Sequence, residues 1–174
     1  MSPPAQRGPG AGGAWSLDEL YHTQSARLVA QLYSYTQDLA LAEDLVQEAF
    51  CRAVAHWSRL AEYDDPVGWI RRVAWNLAAS NWRRRRSFRL FAGGAREDHT
   101  PEPSLERVVL VQALAKLPLV PRRVVIMFYL ADMSLAEIAE FEGISENAVK
   151  QRLHRARAAL TAELTEPQQE VGHA

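Results

Sequence analysis

Between Ser134 and Leu160 the chain spaces small, glycine and aliphatic residues in a pattern that few folds accommodate. Two helices that cross closely over a short turn need a small side chain inside the first helix, and Ala139 stands there. They need a residue that tolerates positive φ at the turn, and Gly143 follows four positions later. Aliphatic side chains must lock one helix on the other, and Ile138, Ile144, Val149 and Leu153 fall at those places. Ser134-Leu135-Ala136-Glu137 is a capping box, so the first helix starts there and runs to about Phe141. Ser145 opens the second, which runs to about Leu164. This helix-turn-helix turns Glu146, Asn147, Lys150, Gln151, Arg152 and Arg155 outward. Such side chains reach base edges and phosphates when a helix lies in a major groove. Glu146, Asn147 and Lys150, near the helix start, are placed to read bases; Arg152, Arg155 and Arg157 are placed to hold the backbone. An ordinary helical hairpin with a glycine turn is the competing reading, and the basic outer face tells against it.

The rest of the 174 residues also reads as helix. Residues 1–15 are rich in Pro, Gly and Ala and are expected to be a disordered lead. Ser16-Leu17-Asp18-Glu19 is a second capping box, opening a helix to about Tyr35 with Leu20, Leu28, Leu32 and Tyr35 as its apolar stripe. Another runs from about Leu39 to Trp57. Asp64-Asp65-Pro66 signals a third start, since Asp caps and Pro suits the first helical position, and that helix should reach about Arg86. Gly93-Gly94, Pro101 and Pro103 then break the periodicity. Helices resume at about 104–117 and 121–130. No stretch reads as a strand pair. The expected class is all-α: two small helical domains, 16–88 and 104–165, joined by a flexible linker over 89–103, with a tail from 166 to 174.

A net charge of −1, taken as a whole-chain sum, argues against a nucleic-acid partner, but the charge is unevenly placed. From Leu17 to Asp65 there are nine acids and three bases. From Pro66 to Arg96 there are eight bases, with Arg83, Arg84, Arg85 and Arg86 in a row, and no acid. A second basic cluster, Lys150, Arg152, Arg155 and Arg157, lies on the last helix. Two separated basic segments can each follow phosphates while the total stays near zero. The one cysteine, Cys51, excludes an internal disulfide or a multi-thiolate metal site and fits a reducing cytoplasm. No run approaches the length of a membrane span, and the first residues lack a signal-peptide core.

The helix after Pro66 interleaves Trp69, Trp75 and Trp82 with Arg71, Arg72 and the arginine run, and it carries Asn76 and Asn81. Aromatic faces beside guanidinium groups suit unstacked bases on a single strand. The alternative is that Trp69, and with it Trp75, belongs to the core. Trp69, Val73, Asn76 and Leu77 share one face, and the core is the favoured place for Trp69.

These residues together resemble an extracytoplasmic-function sigma factor of the bacterial sigma-70 family. The resemblance rests on Ala42-Glu43-Asp44-Leu45-Val46-Gln47-Glu48-Ala49-Phe50, on Trp69-Ile70-Arg71-Arg72-Val73-Ala74-Trp75-Asn76, on Leu117-Pro118-Leu119-Val120-Pro121-Arg122, and on the helix-turn-helix. It implies that the first domain binds RNA polymerase core and the promoter −10 element. Asp44, Leu45, Gln47, Glu48 and Phe50 would dock on the clamp helices of the β′ subunit. Asn76 matches a position that helps to hold a base flipped from the single-stranded non-template strand, and the loop 60–65, with Tyr63 and Asp64, matches the segment that closes that pocket. Arg71, Arg72, Trp75, Asn81, Trp82, Arg83 and Arg84 complete the implied −10 and melting set. Trp75 stands where many relatives have a smaller aliphatic residue, which leaves its role in melting open. The second domain would meet the β flap and read the double-stranded −35 element through Ser145–Arg157. Such factors are commonly held inactive by an anti-sigma protein.

A conventional helix-turn-helix regulator, binding duplex operator alone, is the main alternative; it leaves the Arg/Trp helix and the acidic Asp44–Phe50 segment unused. An enzyme is not expected. The histidines (His22, His56, His99, His154, His173) are scattered, Glu19 and His22 form only one E-x-x-H pair, and no phosphate loop or nucleophile elbow occurs. No cofactor, metal or membrane partner is expected, and the expected location is the cytoplasm.

Overall fold

The computed structural model describes residues 16–89 and 105–165, without the side chains of 83–89 and 105–107. The described residues form eight helices: α1 (Leu17–Thr36), α2 (Leu39–Ala55), α3 (Trp57–Leu60), α4 (Pro66–Arg89), α5 (Leu105–Lys116), α6 (Leu119–Tyr129), α7 (Leu135–Glu142) and α8 (Glu146–Thr165). The fold is all-α, and the chain divides into two compact units, Met1–Thr100 and Pro101–Ala174. The expected lead, the tail and all of the expected linker but Arg89 lie outside the described residues. Arg89 itself is helical, so α4 runs three residues past its expected end.

In the first unit α1, α2 and α4 pack against one another, with α3 a single turn between α2 and α4. The turn from α1 to α2 is only two residues long. Gln37 takes a left-handed conformation (φ 59°) and donates its N–H to Tyr33 O at 2.8 Å, which closes α1. Asp38 then caps α2, its Oδ1 accepting from Leu41 N at 2.9 Å. The antiparallel pair brings Leu20, Leu28, Leu32 and Tyr35 of α1 against Ala42, Leu45, Val46, Ala49, Phe50 and Ala53 of α2, all buried. From α4 come Pro66, Ile70, Ala74, Trp75, Ala78 and Ala79. The alanines leave room for close approach, and the largest buried side chain, Trp75, fills it, its ring 5.4 Å from that of Tyr35.

The start of α4 forms as its sequence indicates. Asp65 Oδ1 accepts from Gly68 N at 2.7 Å, with Pro66 at the first helical position. A Cβ on Gly68 would come within 2.1 Å of Asp65 Oδ2, so the cap and the glycine depend on each other. The box expected at Ser16 does not close: Ser16 sits at the N-cap of α1 with extended backbone, but its side chain makes no capping bond.

In the second unit α8 packs on α5, α6 and α7. Helix α6 starts at Leu119, two residues before its expected start, with Pro121 in its first turn. That position is permitted because first-turn N–H groups have no partner inside the helix. Val124, Val125, Ile126 and Met127 of α6 are all buried, against Ile138 and Ala139 of α7 and Val149, Leu153 and Ala156 of α8.

Candidate nucleic-acid and partner interfaces

The turn between α7 and α8 is built as the spacing requires. Ser134 Oγ accepts from Glu137 N at 3.2 Å, and Glu137 Oε2 accepts from Ser134 N at 2.7 Å, closing the box that opens α7. Gly143 ends α7 at φ 66°, where L side chains are disfavoured by the backbone alone, and Ile144 N donates to Ala139 O at 3.0 Å. Ser145 Oγ accepts from Ala148 N at 3.2 Å at the start of α8. Ile138, Val149 and Leu153 lock the pair from inside, while Ile144 is half-buried.

With this phase settled, the outer face of α8 follows. Ser145, Glu146, Asn147, Lys150, Gln151, His154, Arg155 and Arg157 are exposed. At about 100° per residue, Asn147, Lys150, Gln151 and His154 cluster at its centre. Arg155 and Arg157 stand on opposite edges, as two guanidinium groups flanking a groove would. His154 was not among the expected contacts, yet it lies one turn beyond Lys150 on the same face; the i, i+4 spacing was the available signal.

Arg152 differs from the other basic residues of α8. Its side chain is 33% exposed, and Nη1 lies 3.3 Å from Oε2 of Glu142. Glu142, whose side chain is 3% exposed, also holds Arg123 of α6 in a two-point contact: Nε donates to Oε1 at 2.6 Å and Nη2 to Oε2 at 2.9 Å. The Arg123 guanidinium lies 5.9 Å from the Phe141 ring centroid. One carboxylate thus ties α6, α7 and α8 together.

Of the tryptophans of α4, Trp75 is the buried one, while Trp69 and Trp82 are half-buried. Trp75, whose role in melting the resemblance left open, is fully buried, so it would meet a base only if the core opened. The expected core face of Trp69, Val73, Asn76 and Leu77 is not the buried one. Asn76 is exposed and the other three are half-buried, because the apolar stripe that meets α1 and α2 runs through Ile70, Ala74 and Ala78. Trp69 lies beside His56, ring centroids 6.1 Å apart and near-perpendicular. Arg72, Asn76 and Ser80 are exposed at successive i+4 positions next to it. Tyr63 is 42% exposed in the loop before α4, and Asp64 is exposed there. Arg71, Asn81 and Trp82 are half-buried, and Asn81 Oδ1 is buried without a hydrogen-bond partner among the described residues. The side chains of Arg83 and Arg84 lie outside the described residues.

On α2, Asp44, Gln47 and Glu48 face solvent, and Glu48 Oε1 accepts from Arg52 Nε at 2.7 Å. Leu45 (7% exposed) and Phe50 (5%) do not; both hold α2 in the bundle, Phe50 edge-on to Tyr21 at 5.0 Å. Both therefore belong to the core of the first unit and not to the outer face of α2. The apolar element of the outer face is Val54 instead, 62% exposed and two turns after Gln47. Among the described residues no group of three His, Cys, Asp or Glu could hold a metal ion, and no helix is long and apolar enough to cross a membrane.

Residues 20–88 match the family of sigma-70 region 2, and residues 107–160 match that of sigma-70, region 4. The ECF RNA polymerase sigma factor SigL of Mycobacterium tuberculosis is 35% identical over 168 residues, which is 91% of this chain and 94% of that protein. The probable RNA polymerase sigma factor RfaY of Xanthomonas campestris is 32% identical over 145 residues, 74% of this chain; the chain spans only 35% of that protein's length. Among solved structures, the sigma factor RpoE of Bartonella quintana, in complex with the anti-sigma factor NepR, shares the fold at a TM-score of 0.71. It is 22% identical, and the likeness covers 87% of this chain and 98% of that one.

Proposed function

The chain belongs to the sigma-70 family, in its extracytoplasmic-function group, and on that premise we propose how its two units divide promoter recognition. It is a transcription initiation factor that directs RNA polymerase core to promoters. Helix α8 enters the major groove of the −35 element. Glu146, Asn147, Lys150, Gln151 and His154 face base edges, and Ser145, Arg152, Arg155 and Arg157 meet phosphates. The outer face of α4 and the loop before it take the −10 element: Trp69 offers a stacking surface, Asn76 a hydrogen bond to a flipped base, and Tyr63 and Asp64 the edge of the pocket. Arg71, Arg72, Arg83 and Arg84 draw the strand in, with Asn81 and Trp82 beside them. Capture of an unstacked base offsets the few kcal/mol that unstacking costs.

On the polymerase side, Asp44, Gln47, Glu48 and Val54 of α2 dock on the β′ clamp helices, and the second unit meets the β flap. An acidic face around one apolar contact suits a basic partner surface and favours encounter over tight packing. The factor acts in the cytoplasm and carries no catalysis of its own; the polymerase does the chemistry. An anti-sigma protein, the class of partner that holds the Bartonella relative, would control it by covering these faces.

The observation that supports this reading most strongly is the outer face of α8, where the Gly143 turn fixes the phase and leaves polar and basic side chains exposed between Ser145 and Arg157. Run-off transcription with core polymerase on a randomised promoter library tests it. The reading expects transcripts from templates sharing two short elements at fixed spacing. Equal transcription from all templates, or none above core alone, would overturn it.

A further inference from the structure

Glu142 is an unfavourable place for a carboxylate. It is the last residue of α7, where the helix dipole repels negative charge, and its side chain is only 3% exposed. Two arginines neutralise it, yet stability alone does not call for them: a buried ion pair commonly holds a fold no better than apolar residues of the same volume. What the trio does supply is geometry. Arg123 grips both carboxylate oxygens in a fork, with Phe141 beside its guanidinium, so the carboxylate has one orientation. Oε2 then takes Arg152 Nη1 at 3.3 Å.

Arg152 sits on the flank of α8, about 60° around the helix from exposed Arg155. A guanidinium has five N–H donors, and contact through one nitrogen leaves the others able to meet an anion. With a third of its side-chain surface still exposed, Arg152 is held without being consumed. A long side chain ordered in advance loses less freedom when it binds.

We propose that Glu142 is a positioning residue for duplex recognition: its buried carboxylate holds the Arg152 guanidinium on the flank of α8, set to meet a phosphate of the strand that α8 follows. The trio carries a net charge of +1, so it favours a phosphate despite its carboxylate. The inference rests on α8 being the duplex-reading helix.

The test measures promoter binding by the full chain assembled with core polymerase, over a salt series, beside thermal unfolding of each variant. Wild type on a promoter with and without its −35 element is the control, and no discrimination there would sink the α8 reading itself. Given discrimination, Glu142→Gln should weaken promoter binding about tenfold at a temperature where it is fully folded, the value of one charge-assisted contact. Arg152→Gln should weaken binding about as much and reduce the salt slope by about 1. In the Glu142→Gln background, Arg152→Gln should cost less than about twofold, since the two act as one unit. Arg152→Lys keeps the charge but loses the fork, and should weaken binding about fivefold with the salt slope unchanged, which remains readable if Glu142→Gln does not fold. A lowered melting temperature with unchanged promoter binding, or equal losses from Arg152→Gln in both backgrounds, would overturn the proposal. So would wild-type binding by Arg152→Lys.

Discussion

Helices α4 and α8 are both long, both basic and both lie against a small apolar core, yet their residues were legible to very different degrees. In α8 the phase is set from outside the helix, by Gly143 at φ 66° and by Ala139 where the two helices cross. Once those two positions are read, every later side chain has its direction, and the outward set from Ser145 to Arg155 is exposed apart from Arg152. Helix α4 has no such marker along its length. Tryptophan suits a core and a stacking surface equally, so composition could not separate Trp69 from Trp75, and only the packing against α1 and α2 does so. Backbone constraints announce orientation; amphipathic side chains do not.

That contrast can be broken at its strongest point first. Trp75→Ala should destabilise the first unit by about 3–5 kcal/mol, because a fully buried indole leaves a large cavity. Trp69→Ala should cost the fold far less while reducing open-complex formation, since one base–aromatic stack is worth about 1–3 kcal/mol. Thermal unfolding read beside permanganate footprinting of the −10 region separates the two. The reverse pattern, with Trp75→Ala folded but defective in melting, would restore the sequence-based expectation.

At the turn, Gly143→Ala should destabilise the second unit by about 1–2 kcal/mol, although nothing within 4 Å would meet the added Cβ. The strain lies in the backbone and not in crowding. Chemical denaturation of the variant measures this, and wild-type stability would mean that the turn does not set the phase of α8.

The smallest effect compares two copies of one motif. Ser134 closes its capping box and Ser16 does not, though both are followed by Leu and, three residues on, by Glu. Ser134→Ala should therefore cost about 1 kcal/mol, and Ser16→Ala less than about 0.5 kcal/mol. Equal losses on denaturation would mean that the Ser16 cap forms in solution.

Several features were readable because they are local. Asp65-Pro66 and the Ser134 box each mark a helix start through bonds made within a few residues. The all-α class and the two-unit division followed from periodicity and from the Gly/Pro-rich break. What escaped depends on contacts distant in sequence. Leu45 and Phe50 lie in the Asp44–Phe50 segment that the family resemblance assigns to partner binding, but α2 needs them to meet α1, and the exposed large apolar residue of α2 is Val54. Arg152 reads as one more basic residue until Glu142, ten positions earlier, comes into contact with it. Asn76 was placed by resemblance alone; its exposure beside Trp69 and Arg72 gives that assignment a physical setting.

The central claim is that these faces work together on polymerase and not as a free DNA-binding protein. The direct measurement is the affinity of the full chain for promoter duplex, with and without core polymerase, at physiological salt. The account predicts that the chain binds core at micromolar concentration or below, and that promoter discrimination appears only in the assembled complex. Tight, specific binding by the chain alone, or no association with core at micromolar concentration, would contradict it.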